Sequence, residues 1–531
     1  MDVSKRSNQA DLVIGIDSST TACKAIVWDC QGNLVIQGRA SLALQTPRPV
    51  WHEQPAQDWW TAACQALQMV TGQVDGRRLA GLCITHQRET FVPVNEQGDP
   101  LRNAILWMDV RSGPYLACLE KVFNRETFHK ITGKPLNGNL TIGKIAWLRE
   151  NDPEIFNQTH RYLDTHAFLV QHLTGFARTG WGCADPTGLF DIQKNTWAEE
   201  LLAAVGVHAD QFPQVYPPGA VLGTVTAAAA LATGLPEGLP VVAGIGDGQA
   251  CGLGANITSP GDTYLNLGTA VISGTFSKDC LTSSAFRTMC GGIAGTYLLE
   301  TVILGGTYTI TWFIKNFSCT SFLGIVTSPA SLDQNGNAPS AEDALEELAR
   351  QIPPGAEGLL LVPYWNSAMN PYWDASASGI VVGWRGVHQR QHLYRAILEG
   401  IAFEQRFHTL GVETELQHPV RRFIAMGGGA RSNLWCQIIA DITGKPVLRT
   451  ATHEAAALGA GILAAAGVGL FPGVRQAAEA MTRTQPQGFE PDIQRGLFYR
   501  QIYQEVYIHL FPALRQYLDR LSDLGTAGEG E

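Results

Sequence analysis

The chain has 531 residues, 45% of them hydrophobic and 16% charged, and its 38 Lys plus Arg against 48 Asp plus Glu leave a net charge of −10. A length of this order accommodates roughly two to four domains, each able to bury its own core. An acidic balance without a long Lys/Arg block excludes a phosphate-backbone binder, because nucleic-acid affinity rests largely on neutralising phosphates. Eleven cysteines run from Cys23 to Cys436 with an odd total and no CxxC pair, which fits reduced thiols and a cytoplasmic setting better than a disulfide framework. After MDVSKRSNQAD only five apolar residues, LVIGI, precede Asp17, too few for a signal-peptide core, so export is not expected.

In chain order, LVIGID and KAIVWD read as strands joined by the turn SSTTAC, and DCQGN leads to a third strand, LVIQG, a β-meander that opens a domain. Helical spacing of apolar residues follows in QDWWTAACQALQMV, IGKIAWLREN and HAFLVQHLTG. From Gly261 a second strand-rich opening, TYLNLG, AVISGTF and TYLLETVIL, suggests a second domain of like architecture, with the chain divided into residues 1–256 and 257–531. The polar run TSPASLDQNGNAPS, 327–340, reads as a surface excursion, and AEDALEELARQI as a helix after it. A short strand, FIAM, enters GGGARSN and the helix LWCQIIADITG. Ala455 to Val474 is uncharged and as long as a membrane span, but its glycines and Pro472 point instead to a small-residue helix packed close to other backbone. Arg495 to Leu521 reads as one long amphipathic C-terminal helix, and the tail GTAGEGE as disordered.

Four places carry residues suited to chemistry. Asp17 ends a strand before Ser18, Ser19, Thr20, Thr21 and Lys24; such a turn can wrap phosphate oxygens, and its acid can hold Mg2+, although Asp and Ser/Thr clusters also simply favour turns. Asp247, between Gly246 and Gly248, is a lone carboxylate of the kind a base needs, or an Asp-Gly turn. Met426 to Asn433, MGGGARSN, can bring backbone N–H groups to a nucleotide, or merely start a helix capped by Ser432 or Asn433. It is no dinucleotide fingerprint, because Ser432 stands where GxGxxG needs glycine. In HQRET, Gln87, Arg88 and Glu89 can grip neighbouring hydroxyls, or form a surface ion pair. Trp107 can pack against a ligand's carbon face while Asp109 and Arg111 hold its loop. Gly138 to Ile145, GNLTIGKI, mimics GxxxxGK, but it ends in Ile and follows no apolar strand, so it is not a P-loop.

Singly these are modest signals; their order is distinctive. WHEQPAQDWW, QRET, ILWMDVRS, GLPVVAGIGDG, LGT, NPYWD and GGGARSN succeed one another so that the chain resembles the FGGY family of carbohydrate kinases over essentially its whole length. Two signature regions of the family can be traced in TIGKIAWLREN and GIVVGWRGVHQRQHLYRAILEG. The resemblance implies an α/β pair of actin-like, ribonuclease-H-like domains with ATP and substrate in the cleft between them. Position by position it implies Asp17 for Mg2+, Thr20, Thr21 and Lys24 for ATP phosphates, and Gly268 and Thr269 for phosphate from the second domain. Gly429 and Asn433 would lie beside adenosine, Gln87, Arg88, Glu89 and Trp107 beside the substrate, and Asp247 would be the catalytic base. The implied activity is ATP-dependent phosphorylation of a hydroxyl of a small sugar or polyol, with no nucleic-acid or membrane partner and the oligomeric state open. HQRET and NPYWD slightly favour a glycerol-type polyol. The WxDxRS form at Trp107 to Ser112 and VPYWNS favour the alternative, a xylulose or ribulose kinase, and a non-catalytic sugar-binding regulator is the reading from another class. Three departures from the family pattern stand out: Ser19 for a usual glycine, Gly248 where glycerol kinases carry Gln, and Asn139 where they carry a substrate-contacting Tyr.

Overall fold

The computed structural model describes residues 10–317 and 341–527, with side chains described to 524. Residues 1–9, the surface excursion expected at 327–340 and the last four tail residues, 528–531, lie outside the described residues.

The first lobe is built on β1 (Leu12–Ser18), β2 (Ala22–Asp29), β3 (Leu34–Ser41), β4 (Leu79–His86), β5 (Val221–Thr224) and β6 (Pro240–Val242). They form one sheet in the order β5-β6-β4-β1-β2-β3, in which the meander β1-β2-β3 is antiparallel and β4 and β6 add in parallel. The second lobe repeats the scheme with β7 (Asp262–Leu267), β8 (Val271–Ser277), β9 (Arg287–Cys290), β10 (Tyr297–Ile303), β11 (Arg422–Met426) and β12 (Val447–Arg449), ordered β9-β10-β8-β7-β11-β12. Here β7, β8 and β10 are antiparallel, and β11 and β12 add in parallel to β7. Each sheet thus has the same five-strand core, β3-β2-β1-β4-β6 in one and β10-β8-β7-β11-β12 in the other. The extra strand sits on opposite edges. This is the pair of ribonuclease-H-like domains that the two strand-rich openings announced.

Helices cover both faces, which is why the central strands read as continuous apolar runs. The helices that matter for the site are α1 (Ala56–Thr71), α2 (Thr141–Asn151), α3 (Asp247–Gly254), α4 (Arg390–Leu416), α5 (Asn433–Thr443) and α6 (Ala455–Gly467). Along β1 the side chains alternate: Leu12, Ile14 and Ile16 pack with Trp59, Ala63 and Leu67 of α1, while Val13 packs with Ala457 and Leu458 of α6. Gly15 lies on the α6 side, and a Cβ there would meet the Ala457 carbonyl oxygen at 1.9 Å. The uncharged Ala/Gly segment is therefore a buried helix wedged against β1 and α3. Backbone approach also demands its Gly459, where a Cβ would lie 2.1 Å from the Ala250 oxygen. No described helix is long and apolar enough to cross a membrane.

The C-terminal segment departs from the single helix expected. It divides into α7 (Ile493–Ile502), a π turn at Tyr503–Tyr507 and α8 (Ile508–Ala527), with Pro512 inside α8. Pro512 has no N–H for the carbonyl of Ile508, and the helix loosens immediately before that residue.

Candidate active site

The strand ends converge on a pair of acids. Asp17 sits near the end of β1, opposite Lys24 on β2 and beside Thr85 on β4. The Thr85 hydroxyl donates to the Ile245 carbonyl at 2.8 Å, and His86 bridges Gly246, so the start of α3 is pinned to the end of β4. Asp247, the first residue of α3, thereby comes within electrostatic reach of Asp17. Burial, then the neighbouring Asp247 charge, push the Asp17 carboxyl up to about 7 against the pull of Lys24, and Glu454 adds to the push. Asp17 Oδ1 is buried without a hydrogen-bond partner.

That orphaned oxygen among carboxylates fits a divalent cation. The described residues hold no cluster of three or more metal-binding side chains. One carboxylate completed by water and phosphate oxygens is the usual way of holding Mg2+.

Asp247 is arranged asymmetrically. Arg88 Nε lies 3.0 Å from its Oδ1, the Gly248 N–H donates to the same oxygen at 2.8 Å, and the side chain is 43% exposed. Oδ2 is the oxygen left to take a proton.

Of the other first-lobe candidates, Gln87 is the most occupied. Its N–H donates to Ser18 O at 3.0 Å, its Oε1 accepts from Thr20 Oγ1 at 2.9 Å, and its amide reaches Gln54. Trp107, 39% exposed, donates its indole N–H to Thr20 Oγ1 at 2.9 Å. Thr20 is thus held from two sides, while Thr21 is exposed in the same turn. Asn139 donates to the Trp107 carbonyl at 3.0 Å, so it braces that loop from below. Asp109 and Arg111 hold it as expected, through paired hydrogen bonds, with the guanidinium stacked 3.8 Å over Trp51. The apparent P-loop lysine, Lys144 on α2, donates to the carbonyls of Glu89 and Leu106 at 3.0 and 2.7 Å. Burial drives its ammonium down to about 7. It fastens Glu89, whose backbone sits at φ +51°.

Three residues escape sequence reasoning. Glu300 on β10 accepts from Arg88 Nη1 at 2.9 Å, and Arg287 on β9 joins Glu300 to Glu89. Burial alone would raise the Glu300 pKa; Arg287 and Arg88 overcome it and draw the carboxyl down to about 2. The third, Glu454 at the start of α6, holds Lys24 Nζ at 2.7 and 2.8 Å. A lone Glu inside the apolar run TYLLETVIL is the one signal that would have drawn attention to Glu300.

The second lobe offers backbone. Gly268 and Thr269 turn from β7 into β8, and their carbonyls accept from Thr307 and Tyr308 N–H at 2.9 and 3.1 Å. Next to them Gly427 adopts φ +84°, where a Cβ would strike Asn266 Oδ1 at 2.4 Å, and Gly429 lies against the Trp435 ring. Ser432 caps α5 through the Trp435 N–H, which leaves Asn433 exposed as its first residue. NPYWD is engaged within the second lobe: the Asn370 side chain bonds Val302 N and Ala285 O, Trp373 bonds Ser284 O, and Asp374 pairs with Arg515.

Two acids, Asp17 near the end of β1 and Asp247 at the start of α3, thus lie within electrostatic reach of each other in one lobe, and a second lobe of the same topology carries glycine-lined turns at its own strand ends. Residues 12–254 match the N-terminal domain of the FGGY family of carbohydrate kinases, and residues 263–468 match its C-terminal domain. The chain belongs to the FGGY family. It is 28% identical to the xylulose kinase of Bacillus subtilis (strain 168) over 94% of this chain and 97% of that one. It is 30% identical to the glycerol kinase of Alkalilimnicola ehrlichii over 88% and 92%. The crystal structure of xylulose kinase from Rhodospirillum rubrum superposes with a TM-score of 0.86 at 29% identity, covering 96% of this chain and 99% of that chain. As an FGGY kinase, the chain is an ATP-dependent phosphotransferase with a carbohydrate alcohol group as acceptor.

Proposed function

We propose that this FGGY kinase phosphorylates a ketopentose of the xylulose type. The slight preference for a glycerol-type polyol, which leaned on HQRET and NPYWD, gives way to the alternative. The NPYWD side chains are spent on packing within the second lobe, and xylulose kinases recur among the similar proteins.

The observation that carries the catalytic reading is the one-sided tethering of Asp247 beside Asp17. Asp247 Oδ2 accepts the proton of the attacking hydroxyl, and Arg88 and the Gly248 N–H fix the carboxylate's orientation through Oδ1. Asp17 would hold a magnesium ion, which when bound would supply charge neutralisation for the phosphate oxygens. Trp107 offers its exposed ring to the carbon face of the sugar. The turns at Thr20, Thr21, Gly268 and Thr269 and the glycines through Gly429, with Asn433, line the nucleotide side. Positioning supplies most of the acceleration, because phosphoryl transfer leaves little covalent chemistry for the protein to do.

A coupled ADP-release assay over xylulose, ribulose, xylitol, erythritol and glycerol tests the reading. The highest kcat/KM is expected for xylulose; a clear preference for glycerol restores the polyol reading, and no ADP release with any of the five refutes the ketopentose and polyol readings alike.

A further inference from the structure

The polar shell around the base is completed from the second lobe. Glu300, in the middle of the otherwise apolar β10, has a side chain only 1% exposed. Its two oxygens accept from Arg88 Nη1 at 2.9 and 3.2 Å, from Arg287 Nε at 2.6 Å and from the Tyr264 hydroxyl at 3.1 Å. Arg287, directly opposite Glu300 in the β9/β10 register, extends Nη1 to Glu89 Oε1 at 3.0 Å. Asp247, Arg88, Glu300, Arg287 and Glu89 therefore alternate in sign, with each guanidinium held between two carboxylates.

The strand carrying Arg287 is itself fixed to the first lobe. Thr288 N–H donates to Gly133 O at 2.8 Å, Lys134 Nζ donates to Thr288 O at 3.0 Å, and Cys290 N–H donates to Asp185 Oδ2 at 2.9 Å. Gly248 belongs to the same arrangement. A Cβ there would lie 2.7 Å from Glu300 Oε2 and 3.0 Å from Arg88 Nη2, so the position after the base has no side chain because this ion pair fills the space. The neighbouring lysines are also engaged: Lys144 on two carbonyls, Lys134 on Asp185 and Lys24 on Glu454.

We infer that Glu300 and Arg287 are positioning and specificity-determining residues: they hold Arg88 against Asp247 and Glu89 in place, and they restrict the acceptor to neutral polyhydroxy compounds. A substrate carboxylate placed beside Asp247, the exposed end of this chain, would feel three acids against two guanidiniums already paired with them, so like-charge repulsion disfavours an aldonate. The inference rests on the kinase reading above and deepens it by naming the residues that hold the base's partner and set the charge class of the acceptor.

The test compares the full-length wild type with Glu300→Gln and Arg287→Met, measuring kcat and KM for xylulose and calorimetric binding of gluconate. The wild type should turn over xylulose, bind gluconate only weakly and not phosphorylate it. Glu300→Gln frees positive charge and loosens Arg88: kcat for xylulose should fall about tenfold or more, and gluconate affinity should rise about tenfold. Arg287→Met leaves Glu300 paired with Arg88 and Tyr264; it should raise KM for xylulose about tenfold, with a smaller change in kcat. It decides the matter should Glu300→Gln fail to fold. Gluconate phosphorylated by the wild type as well as xylulose, or a folded Arg287→Met with wild-type constants, overturns the inference alone. A wild type inactive on every neutral sugar overturns the kinase reading and the inference with it.

Discussion

The two lobes share a strand order but place opposite kinds of chemistry at the same point of it. In the first, β1 ends in Asp17-Ser18 and turns through Ser19 to Thr21; in the second, β7 ends in Asn266-Leu267 and turns through Gly268 to Ala270. The parallel neighbour, paired Asp17 with Thr85 in one sheet and Asn266 with Met426 in the other, is followed by Gln87, Arg88 and Glu89 in the first lobe and by Gly427, Gly428 and Gly429 in the second. At these strand ends one lobe presents acids, hydroxyls and a guanidinium, and the other presents bare backbone. Side chains of defined charge suit an ion and a hydroxylated acceptor, whereas stripped backbone lets a nucleotide lie close to N–H groups. The scaffold sets where strands end; the residues after those ends give the two lobes different chemistry.

The largest effect should come from removing the acid that the second lobe lacks. Asp247→Asn keeps shape and most hydrogen bonds but cannot accept a proton. It is expected to lower kcat by about 10^3-fold, within the range for general acid–base catalysis, while ATP affinity measured by titration changes little. Near-normal turnover would show that Asp247 is not the base. On the other side of the contrast, Gly427→Ala puts a Cβ at φ +84° and 2.4 Å from Asn266 Oδ1. Thermal unfolding should show a loss of about 2 kcal/mol, and KM for ATP should rise with KM for the sugar nearly unchanged. Equal damage to both substrates would erase the division between the lobes.

Much of this was legible in the chain. The strands LVIGID, KAIVWD, TYLNLG and AVISGTF are apolar runs bounded by turn residues, and Asp17 and Asp247 stand out as acids at small-residue turns. What could not be read shares one physical cause, partners remote in sequence. Glu300 looks forbidden in a buried strand until Arg88, 212 residues away, is seen to neutralise it. Glu454 acquires a role only through Lys24, 430 residues away. The strand Arg287–Cys290, RTMC, is too short and too polar to show alternation, and its place is set by contacts with Gly133, Lys134 and Asp185. Gly248 read as a departure from a pattern; in the fold it is the space that Glu300 and Arg88 require.

A smaller effect should mark the buried support of the first lobe. Burial lowers Lys144 from its ordinary value to about 7, so between that value and the unfolded one the unfolded chain binds more protons than the folded one. Stability contributed at this site therefore rises with pH through that window and is lowest at and below its lower end. Against Lys144→Met, the wild type should gain about 2 kcal/mol between roughly pH 7 and pH 9, read from denaturant midpoints. A difference independent of pH would mean that the ammonium keeps its charge when folded, secured by Glu89 and Asp109.

The smallest expected effect lies where the two lobes meet over the acids. Lys24 and Glu454 form a close pair with side chains 28% and 22% exposed, so either Glu454→Gln or Lys24→Met should cost no more than about 1 kcal/mol of stability, and less at high salt. Their consequences for ATP should differ in sign. Glu454→Gln releases the ammonium and removes one of the negative charges acting on Asp17, so KM for ATP should fall a few-fold. Lys24→Met deletes the cation and leaves Glu454 beside Asp17, so KM for ATP should rise. Parallel changes in the two variants would reduce the pair to a strut between lobes; opposite changes would make Glu454 the residue that holds Lys24 in reserve for phosphate.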